Sequence, residues 1–248
     1  MHLQLSSHGI TDPGHVRDAN EDAFLIDEAH QVFAVADGLG GLPGGRDASQ
    51  RIVELLQQTY RQIDAAEERA DLGEIIIGIH RIVAKEGAEA HPFTSWGSTL
   101  TLAQIVGDQL LIGHVGDSAA YHLHRHQFEK ITIDHTMEQA LIDRLGETAH
   151  QIMPAEYPHR LTQCLGQIEA DPRVAQSRRT LSSGDRLLLC TDGLNKVVSL
   201  EAIQQTLQLN ESPAAISQQL VDSAKANGGP DNITVIVIFI HEVPQPTA

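Results

Sequence analysis

The order of hydrophobic and polar positions divides the chain into helical and extended segments. Between residues 48 and 70 the apolar side chains, among them Ile52, Leu56 and Tyr60, recur at intervals of three and four residues. The segment 72–90 repeats this spacing. Apolar residues at such intervals lie along one face of an α-helix, so the pattern predicts two long amphipathic helices in succession.

After Pro92 the pattern changes to short apolar runs separated by turn residues. These runs predict strands over 98–106, 109–115, 119–124 and 128–133, and the short turns between them predict one antiparallel meander. Later segments predict a helix over 137–145, a strand over 186–190, helices near 200–207 and 213–226, and a last strand from Ile233 to Phe239 with a frayed tail. Grouped strands and paired helices favour the α+β class over alternating βαβ units.

The length of 248 residues allows one large domain or two small ones. No linker rich in proline, glycine or serine interrupts the sequence, and no repeat of solenoid length occurs in it. We therefore expect a single domain over 1–248.

The formal net charge of −16 argues against nucleic acid and anionic membranes as partners, because binding to phosphate groups rests on Lys and Arg. The N-terminus lacks a basic segment followed by an apolar core, and no run reaches the roughly 18 apolar residues of a spanning helix. Two cysteines, Cys164 and Cys190, are too few for a disulfide framework and suit a reducing interior. We expect a cytoplasmic location.

Four aspartates stand at the start or end of strand-like apolar runs and beside glycine or another small residue: Asp37, Asp117, Asp192 and Asp231. Carboxylates brought together at sheet ends repel one another unless cations lie between them, so the pattern indicates a hydrolytic site built around oxygen-ligated metal ions. Each aspartate taken singly also fits an ordinary turn, since Asp-Gly is a favoured hairpin pair. Turns accept asparagine and serine as well, and four acidic residues together favour the metal site.

The glycine-rich segment 38–45 has an alternative interpretation as a nucleotide-binding loop. The third glycine of the dinucleotide fingerprint would fall on Pro43, and no Gly-Lys-Ser/Thr follows. These departures argue against nucleotide binding. Glycines here instead allow the backbone to approach a metal closely, with a carbonyl oxygen as ligand.

Alternate spacing places His122, His124 and His126 on one side of an extended strand, which raises the question of a histidine metal site. A solvated hairpin edge, on which histidine is merely polar, explains the same pattern. We favour the solvated edge.

Eight motifs in a fixed order carry a resemblance to a known family. They are VRDANED at 16–22, ADGLGG at 36–41, WGSTL at 96–100, GDSAAY at 116–121, DHT at 134–136, LTQCLG at 161–166, CTDGL at 190–194 and GPDNIT at 229–234. With these motifs the chain resembles a bacterial metal-dependent Ser/Thr protein phosphatase of the type 2C (PPM) family. The resemblance implies a four-layer αββα sandwich, two antiparallel sheets flanked by helix pairs, with a variable flap over about 138–168 beside the cleft.

The resemblance also implies a role for each site residue. Asp37 corresponds to the carboxylate that bridges two metal ions, Gly38 offers a backbone carbonyl, and Asp192 and Asp231 complete the pair. Asp117 and Asp192 would hold a third, weaker ion. Glu21 and Asp22 fall where the family places an acidic ligand or a carboxylate that anchors metal-bound water.

Hard oxygen ligands suit Mn²⁺ or Mg²⁺ better than zinc. Two such ions would activate a shared water for in-line attack on phosphorus. Arg17 corresponds to the family arginine that binds the substrate phosphate, a task that suits a bidentate guanidinium, although a surface ion pair would also explain an arginine here.

The chain departs from the family pattern at the position of a candidate general acid. Many members carry a histidine in or just after the Asp-Gly-x-Gly-Gly turn, whereas Leu39 and Leu42 stand there. Ala119 also replaces a common arginine. These changes leave the source of the leaving-group proton open, with His135 and His159 as candidates near the motifs.

We predict a protein-serine/threonine phosphatase that hydrolyses phosphoserine and phosphothreonine in proteins and reverses Ser/Thr kinase signalling. A non-catalytic phosphoprotein-binding pseudo-phosphatase is the first alternative, but it would typically lack one of Asp37, Asp192 and Asp231. A hydrolase of small phosphoesters is the second. The expected partners are phosphorylated proteins and a cognate kinase, and the expected state is a monomer.

Overall fold

Two five-stranded antiparallel sheets form the centre of the molecule. The computed structural model describes residues 3–40, 44–62, 71–91, 96–149, 153–154, 157–168 and 170–242. Its strands are β1 (Leu3–Asp12), β2 (Asp22–Asp27), β3 (Val32–Asp37), β4 (Leu100–Val106), β5 (Gln109–Val115), β6 (Ala119–His124), β7 (Gln127–Lys130), β8 (Ala175–Thr180), β9 (Arg186–Cys190) and β10 (Ile233–Glu242). Sheet I has the order β1-β10-β9-β6-β7, and sheet II has the order β2-β3-β4-β5-β8.

The described residues include six α-helices, and one pair of them covers the outer face of each sheet. They are α1 (Gly45–Gln62), α2 (Leu72–Ala90), α3 (Met137–Leu145) with a short 3-10 turn at Gly146–Thr148, α4 (Asp192–Asn195), α5 (Leu200–Leu207) and α6 (Pro213–Ala226). Side-chain oxygens cap several of them: those of Asp71, Ser199 and Ser212 each accept a backbone N–H of the first turn of α2, α5 and α6.

Three apolar clusters define four layers. The first packs α1 and α2 on sheet II through residues such as Leu56 and Ile76. The second lies between the two sheets, where Phe33 meets residues such as Ile236. The third packs α5 and α6 on sheet I through residues such as Leu220. The α+β class and the αββα sandwich implied by the resemblance are therefore confirmed.

Several boundaries differ from those predicted. Helix α1 begins at Gly45 rather than near residue 48, while the predicted extension over 63–70 lies outside the described residues. Strand β7 ends at Lys130, and β10 continues to Glu242, with the tail 243–248 again outside the described part. Three strands, β1, β2 and β8, were not predicted. Strands β1 and β8 are rich in polar residues, and β8 alternates half-buried and exposed positions, whereas β2 carries only a short apolar run of four residues between two aspartates.

The predicted single meander is wrong, because its strands divide between the two sheets. Strand β5 pairs with β4 and β8 in sheet II, whereas β6 pairs with β7 and β9 in sheet I. The chain crosses between sheets at Gly116, whose φ of 113° and close approach to Thr99 exclude a side chain. This crossing places Asp117 where an end of each sheet meets the other.

Within the described residues, no helix combines the length and the apolar character that crossing a membrane requires.

Candidate metal centre

A cleft of about 370 Å³ opens at this junction of the sheets. All four aspartates predicted from the sequence, Asp37, Asp117, Asp192 and Asp231, line it. The other lining residues are Arg17, Glu21, Gly38, Leu39, Gly40, Thr99, His159, Leu161, Lys196 and Asn232. The fold therefore brings together side chains from nearly the whole length of the chain.

Each of the four aspartates reaches the cleft from a strand end. Asp37 is the last residue of β3, Asp117 lies between β5 and β6, Asp192 follows β9 and begins α4, and Asp231 lies just before β10. A short aspartate side chain at the end of a paired strand, or within two residues of it, leaves the carboxylate little freedom to move away. The arrangement is thus fixed by the sheets rather than by flexible loops.

Asp37 lies among the other acidic groups. Its backbone is held on both sides by Thr99: the Asp37 N–H donates to Thr99 Oγ1 (3.0 Å), and the Thr99 N–H donates to the Asp37 carbonyl (2.9 Å). Burial raises the pKa of the Asp37 carboxyl, and the carboxylates of Asp22, Asp192, Asp117 and Asp231 raise it further. Ionised Asp37 therefore requires positive charge nearby.

Asp22 lies behind the cleft lining, opposite Asp37 in the β2–β3 register. Its Oδ2 accepts hydrogen bonds from the hydroxyls of Thr191 (2.8 Å) and Thr234 (2.7 Å). Burial raises the Asp22 pKa to about 7, with these two hydrogen bonds opposing the rise and Asp192 adding to it. The sequence did not separate the roles of Glu21 and Asp22, whereas in the structure Glu21 lines the cleft and Asp22 supports it.

Lys196 bridges two of the aspartates, a contact that the sequence analysis missed. Its Nζ lies 3.2 Å from Asp117 Oδ2 and also contacts Asp192 Oδ2. Burial lowers the Lys196 pKa, but the two carboxylates outweigh it and the net pKa is raised. Burial and Asp192 raise the Asp117 pKa to about 6, with Lys196 opposing. The only available signal was the four-residue spacing from Asp192 along a helix.

Arg17 enters the cleft beside Asp231. Its Nη2 donates to Asp231 Oδ2 at 2.8 Å, and its side chain stays half-exposed. The hydrogen bond to Asp231 raises the Arg17 pKa against an opposing effect of burial, and Asp37 and Glu21 add to the rise. A Cβ at Gly40 would lie 2.9 Å from Arg17 Nη1, so the glycine leaves room for the guanidinium.

Asn232 holds the segment that carries Arg17, and the sequence analysis assigned it no role. Its Oδ1 accepts from the Glu21 N–H (2.8 Å), and its Nδ2 donates to the carbonyls of Pro13 and Ala19 (3.0 Å each). The side chain is buried. Its place directly after Asp231 in the GPDNIT motif was the signal that pointed to it.

Gly38 lines the cleft, where its backbone packs closely against that of Glu21 and Gly45. Its N–H donates to the Glu21 carbonyl (3.1 Å). A Cβ at this position would collide with the Gly45 carbonyl and lie 2.7 Å from the Glu21 carbonyl oxygen. Only glycine permits this approach.

The residues of the cleft fit hard divalent cations. Oδ1 of Asp22 and Oδ1 of Asp192 are buried and have no hydrogen-bond partner among the described residues. Buried carboxylate oxygens without partners are costly unless an ion or water completes them. Because the donors are carboxylates and backbone carbonyls, the set favours Mg²⁺ or Mn²⁺ over zinc.

The histidines near the motifs separate into two groups. His159 lines the cleft, whereas His135 does not: its ring packs against His114 with centroids 5.0 Å apart, and its Nδ1 accepts from the Gly116 N–H (3.3 Å). Burial lowers the His135 pKa. Leu39 lines the cleft as the sequence suggested, and Leu42 lies outside the described residues.

The favoured interpretation of the β6 histidines as a solvated edge is wrong for His122. Its side chain is only 6% exposed, and both His122 and His124 contact the buried carboxylate of Asp185. Asp185 is 63 residues away in sequence from His122, so the strand pattern alone gave no sign of it.

Comparison with known proteins agrees with this fold. The sequence profile of the protein phosphatase 2C family matches residues 14–228. The chain is 33% identical over 240 residues to the serine/threonine protein phosphatase PstP of Mycobacterium tuberculosis, covering 95% of this chain but only 45% of PstP. It is 29% identical over 236 residues to the serine/threonine phosphatase stp of Listeria monocytogenes, covering 92% of this chain and 93% of that protein.

Solved structures give the same result. The catalytic domain of PstP, crystallised with two manganese ions, superposes with a TM-score of 0.83 at 32% identity over 97% of this chain and all of that domain. Stp1 from Staphylococcus aureus superposes with a TM-score of 0.86 at 28% identity over 98% of each chain. The resemblance seen in the sequence is confirmed, and the chain belongs to the protein phosphatase 2C family.

Proposed function

We propose that this chain is a protein-serine/threonine phosphatase that hydrolyses phosphoserine and phosphothreonine in proteins. The observation that carries the proposal is the carboxylate group around Asp37, which contains buried, unpartnered oxygens and has a half-exposed guanidinium beside it. Relatives named as Ser/Thr phosphatases support it.

Asp37, Gly38, Asp192 and Asp231 are the proposed ligands of two Mn²⁺ or Mg²⁺ ions, with Glu21 at the rim and Asp22 behind. When bound, such ions supply a nucleophile from water at neutral pH and stabilise the charge that develops on phosphorus. Asp117 and Asp192 are the proposed ligands of a weaker third ion. Because the Lys196 ammonium lies between these two carboxylates, a third ion must displace it.

Arg17 is the proposed phosphate-binding group. Its Nη2 is held by Asp231 while the rest of the guanidinium remains half-exposed, so the fork is oriented before substrate arrives. Two parallel N–H donors match two oxygens of a phosphoryl group, a contact that lysine cannot reproduce. Asn232 positions Arg17 by fixing the backbone before and after it.

His159 is the proposed proton donor for the leaving alkoxide. It lines the same cleft, and the positions where many relatives carry a histidine hold Leu39 and Leu42 here. An alkoxide is a poor leaving group and benefits from an acid within hydrogen-bond reach.

Retention of all the metal aspartates argues against the pseudo-phosphatase alternative.

The proposal also covers the organisation of the protein. It comprises one catalytic domain over 1–248 with a flap near 138–168, and a monomeric state. A cognate Ser/Thr kinase is the proposed counterpart, and the proposed location is cytoplasmic. Two buried free cysteines, Cys164 and Cys190, suit a reducing compartment.

A metal-reconstitution assay tests the proposal. The purified chain is stripped with chelator and assayed on a phosphothreonine peptide and on a small aryl phosphate, each before and after Mn²⁺ is restored. We expect peptide hydrolysis only with the metal present. Full turnover in excess chelator contradicts the metal assignment, phosphopeptide binding without hydrolysis favours the pseudo-phosphatase, and hydrolysis of the aryl phosphate alone favours the small phosphoester hydrolase.

A further inference from the structure

A second cluster of metal-binding side chains lies at the other end of sheet I, away from the cleft. His122 Nε2 lies 2.9 Å from Asp185 Oδ2, and His124 Nδ1 lies 2.7 Å from Asp185 Oδ1. One nitrogen from each imidazole and one carboxylate oxygen all fall within 4.8 Å of one another.

The strand pairing builds this cluster and makes it rigid. His122 and His124 are two residues apart on β6, so their side chains point to the same face of the sheet. Asp185 immediately precedes β9, which pairs antiparallel with β6 so that Leu123 lies opposite Arg186. The Ser182 N–H also donates to Asp185 Oδ2 (2.9 Å), which fixes the carboxylate from the turn before the strand.

Burial makes the carboxylate of Asp185 unusual. Its side chain is 2% exposed, and among the described residues its ion-pair partners are these two imidazoles, with no lysine or arginine. A buried carboxylate requires a compensating charge. Either a protonated imidazole or a metal ion can supply it.

A second carboxylate faces the outer side of His122. Glu129 Oε1 lies 3.9 Å from His122 Nδ1, and Arg179 Nε donates to the same oxygen at 2.6 Å. Histidines that bind metal through one ring nitrogen usually direct the other N–H towards a carboxylate or carbonyl, which fixes the tautomer. Glu129 lies on that side of a His122 that binds through Nε2, and its oxygen has to approach from 3.9 Å to accept the Nδ1 proton.

We propose that His122, His124 and Asp185 form a second metal site, selective for Zn²⁺ or a similar imidazole-preferring transition ion. Two imidazoles and one carboxylate are a zinc donor set, whereas Mg²⁺ prefers oxygen alone. On binding, each imidazole carries its proton on the nitrogen that faces away from the ion. A water completes the tetrahedral shell on the side where His124 is 35% exposed.

Zinc binding requires a modest rearrangement of the three side chains. Ligand atoms about 2.0 to 2.1 Å from zinc in a tetrahedron lie about 3.3 Å apart. The present contacts of 2.9 and 2.7 Å go to different oxygens of Asp185, Oδ2 and Oδ1. If one of these oxygens binds the ion, the three ligand atoms, which now lie within 4.8 Å of one another, have to close to this spacing. Side-chain rotation of the partly exposed His124 provides this movement without disturbing the strands.

Zinc titration of the full chain tests the proposal. The protein is stripped of metal, the cleft is saturated with millimolar Mg²⁺, and Zn²⁺ is titrated against a chromophoric chelator, with Co²⁺ absorption reporting the coordination. We expect one Zn²⁺ per chain and a tetrahedral Co²⁺ spectrum. His124→Gln should weaken Zn²⁺ binding roughly 100-fold or more, and Glu129→Gln roughly tenfold.

His126→Gln is the matched control, because His126 is exposed at the adjacent turn and is not part of the cluster. We expect it to bind Zn²⁺ as the unmodified chain does. The proposal is overturned if the unmodified chain binds no Zn²⁺ in the presence of Mg²⁺, or if His124→Gln binds it equally well. The first result would leave a His-Asp-His hydrogen-bonded cluster. Because the readout is binding alone, it is independent of the proposed phosphatase activity.

Discussion

Strands β6 and β9 carry a carboxylate cluster at each end, and the two clusters differ in their partners. At one end Asp117 and Asp192 share the ammonium of Lys196, and Asp192 Oδ1 is left without a partner among the described residues. At the other end both oxygens of Asp185 accept hydrogen bonds from imidazoles. The ends lie roughly 20 Å apart along the strands.

The difference shows how the donor set decides the role of a buried carboxylate. In the cleft, several acidic groups raise one another's pKa, so the group is complete only with added cations. Around Asp185, each oxygen of the single carboxylate is hydrogen-bonded to an imidazole, so the carboxylate is satisfied without an added ion. The first arrangement suits hard ions and catalysis, and the second suits structural pairing and a softer ion.

The largest expected effect comes from Asp192→Asn compared with Asp185→Asn, a matched pair at the two ends of β9. We expect Asp192→Asn to reduce peptide hydrolysis roughly 1,000-fold or more, because metal-ion stabilisation of the transition state contributes several kcal/mol. The folded fraction of Asp185→Asn should hydrolyse the peptide as fast as the unmodified chain does. Steady-state kinetics with Mn²⁺ and circular dichroism measure both. Equal losses of turnover in the two variants would remove the distinction between the ends.

Asp185→Asn should instead lower the free energy of unfolding. Removing one member of a buried charged cluster leaves the other groups uncompensated, at a cost of about 3 kcal/mol. Urea denaturation measures the change. Asp108→Asn, at an exposed turn, is the control and should lie within about 0.5 kcal/mol of the unmodified chain. An equally small change in Asp185→Asn would mean that the pairing around Asp185 contributes little.

His159→Ala tests whether an imidazole donates the leaving-group proton at the cleft end. We expect phosphothreonine peptide hydrolysis to fall about 10- to 100-fold, while an activated aryl phosphate, which needs no acid, changes little. The ratio of the two kcat values is the measurement. A parallel decline for both substrates would exclude His159 as the proton donor and leave the source of the leaving-group proton open, as it was from Leu39 and Leu42 alone.

Lys196→Met asks whether the ammonium in the cleft competes with a third ion. Without it, Asp117 and Asp192 lose their shared partner, and a third Mn²⁺ should bind about tenfold more tightly, or about 1.4 kcal/mol. Calorimetric stoichiometry and anomalous scattering from crystals measure occupancy. Lys225→Met, which breaks a pair with Asp12, serves as control. Unchanged affinity for the third ion in Lys196→Met would show that the lysine does not compete.

His114 provides an effect that is absent at neutral pH, and it contrasts with His122 because it has no carboxylate partner in the described part of the chain. It is buried, its Nδ1 pairs with Thr101 Oγ1 (2.9 Å), and its Nε2 has no partner among the described residues. Burial lowers the His114 pKa to about 3. The unfolded chain takes up this proton below about pH 6.5 but the folded chain does not, so stability is lost as the pH falls from 6.5 towards 3.

His114→Gln should remove this contribution. We expect its free energy of unfolding, relative to the unmodified chain, to improve by up to about 1.4 kcal/mol for each pH unit between 6.5 and about 3. Urea denaturation at several pH values measures it, and the comparison of two chains cancels the titration of other groups. A pH-independent difference would mean that His114 titrates normally in the folded state.

The sequence by itself determined the elements whose apolar periodicity is strong. Helix α2 and strands β5, β6 and β9 begin and end where the pattern placed them. Their apolar residues have to be buried whatever the partner element is, so the local pattern alone is enough to predict them. The ordered motifs identified the family, and with it the layer order that periodicity could not supply. They also selected the four aspartates of the cleft.

Only the tertiary structure decided which polar groups meet. The split of β5 and β6 between two sheets, the place of Asp22 behind Glu21, the Lys196 bridge and the Asp185 cluster all depend on strands far apart in sequence. Polar strands such as β8 carry too few apolar residues to produce a periodic pattern, and they form only because a neighbouring strand pairs with them. Apolar burial follows from local pattern, whereas a hydrogen bond or an ion pair exists only when the fold places a specific partner within about 3 Å.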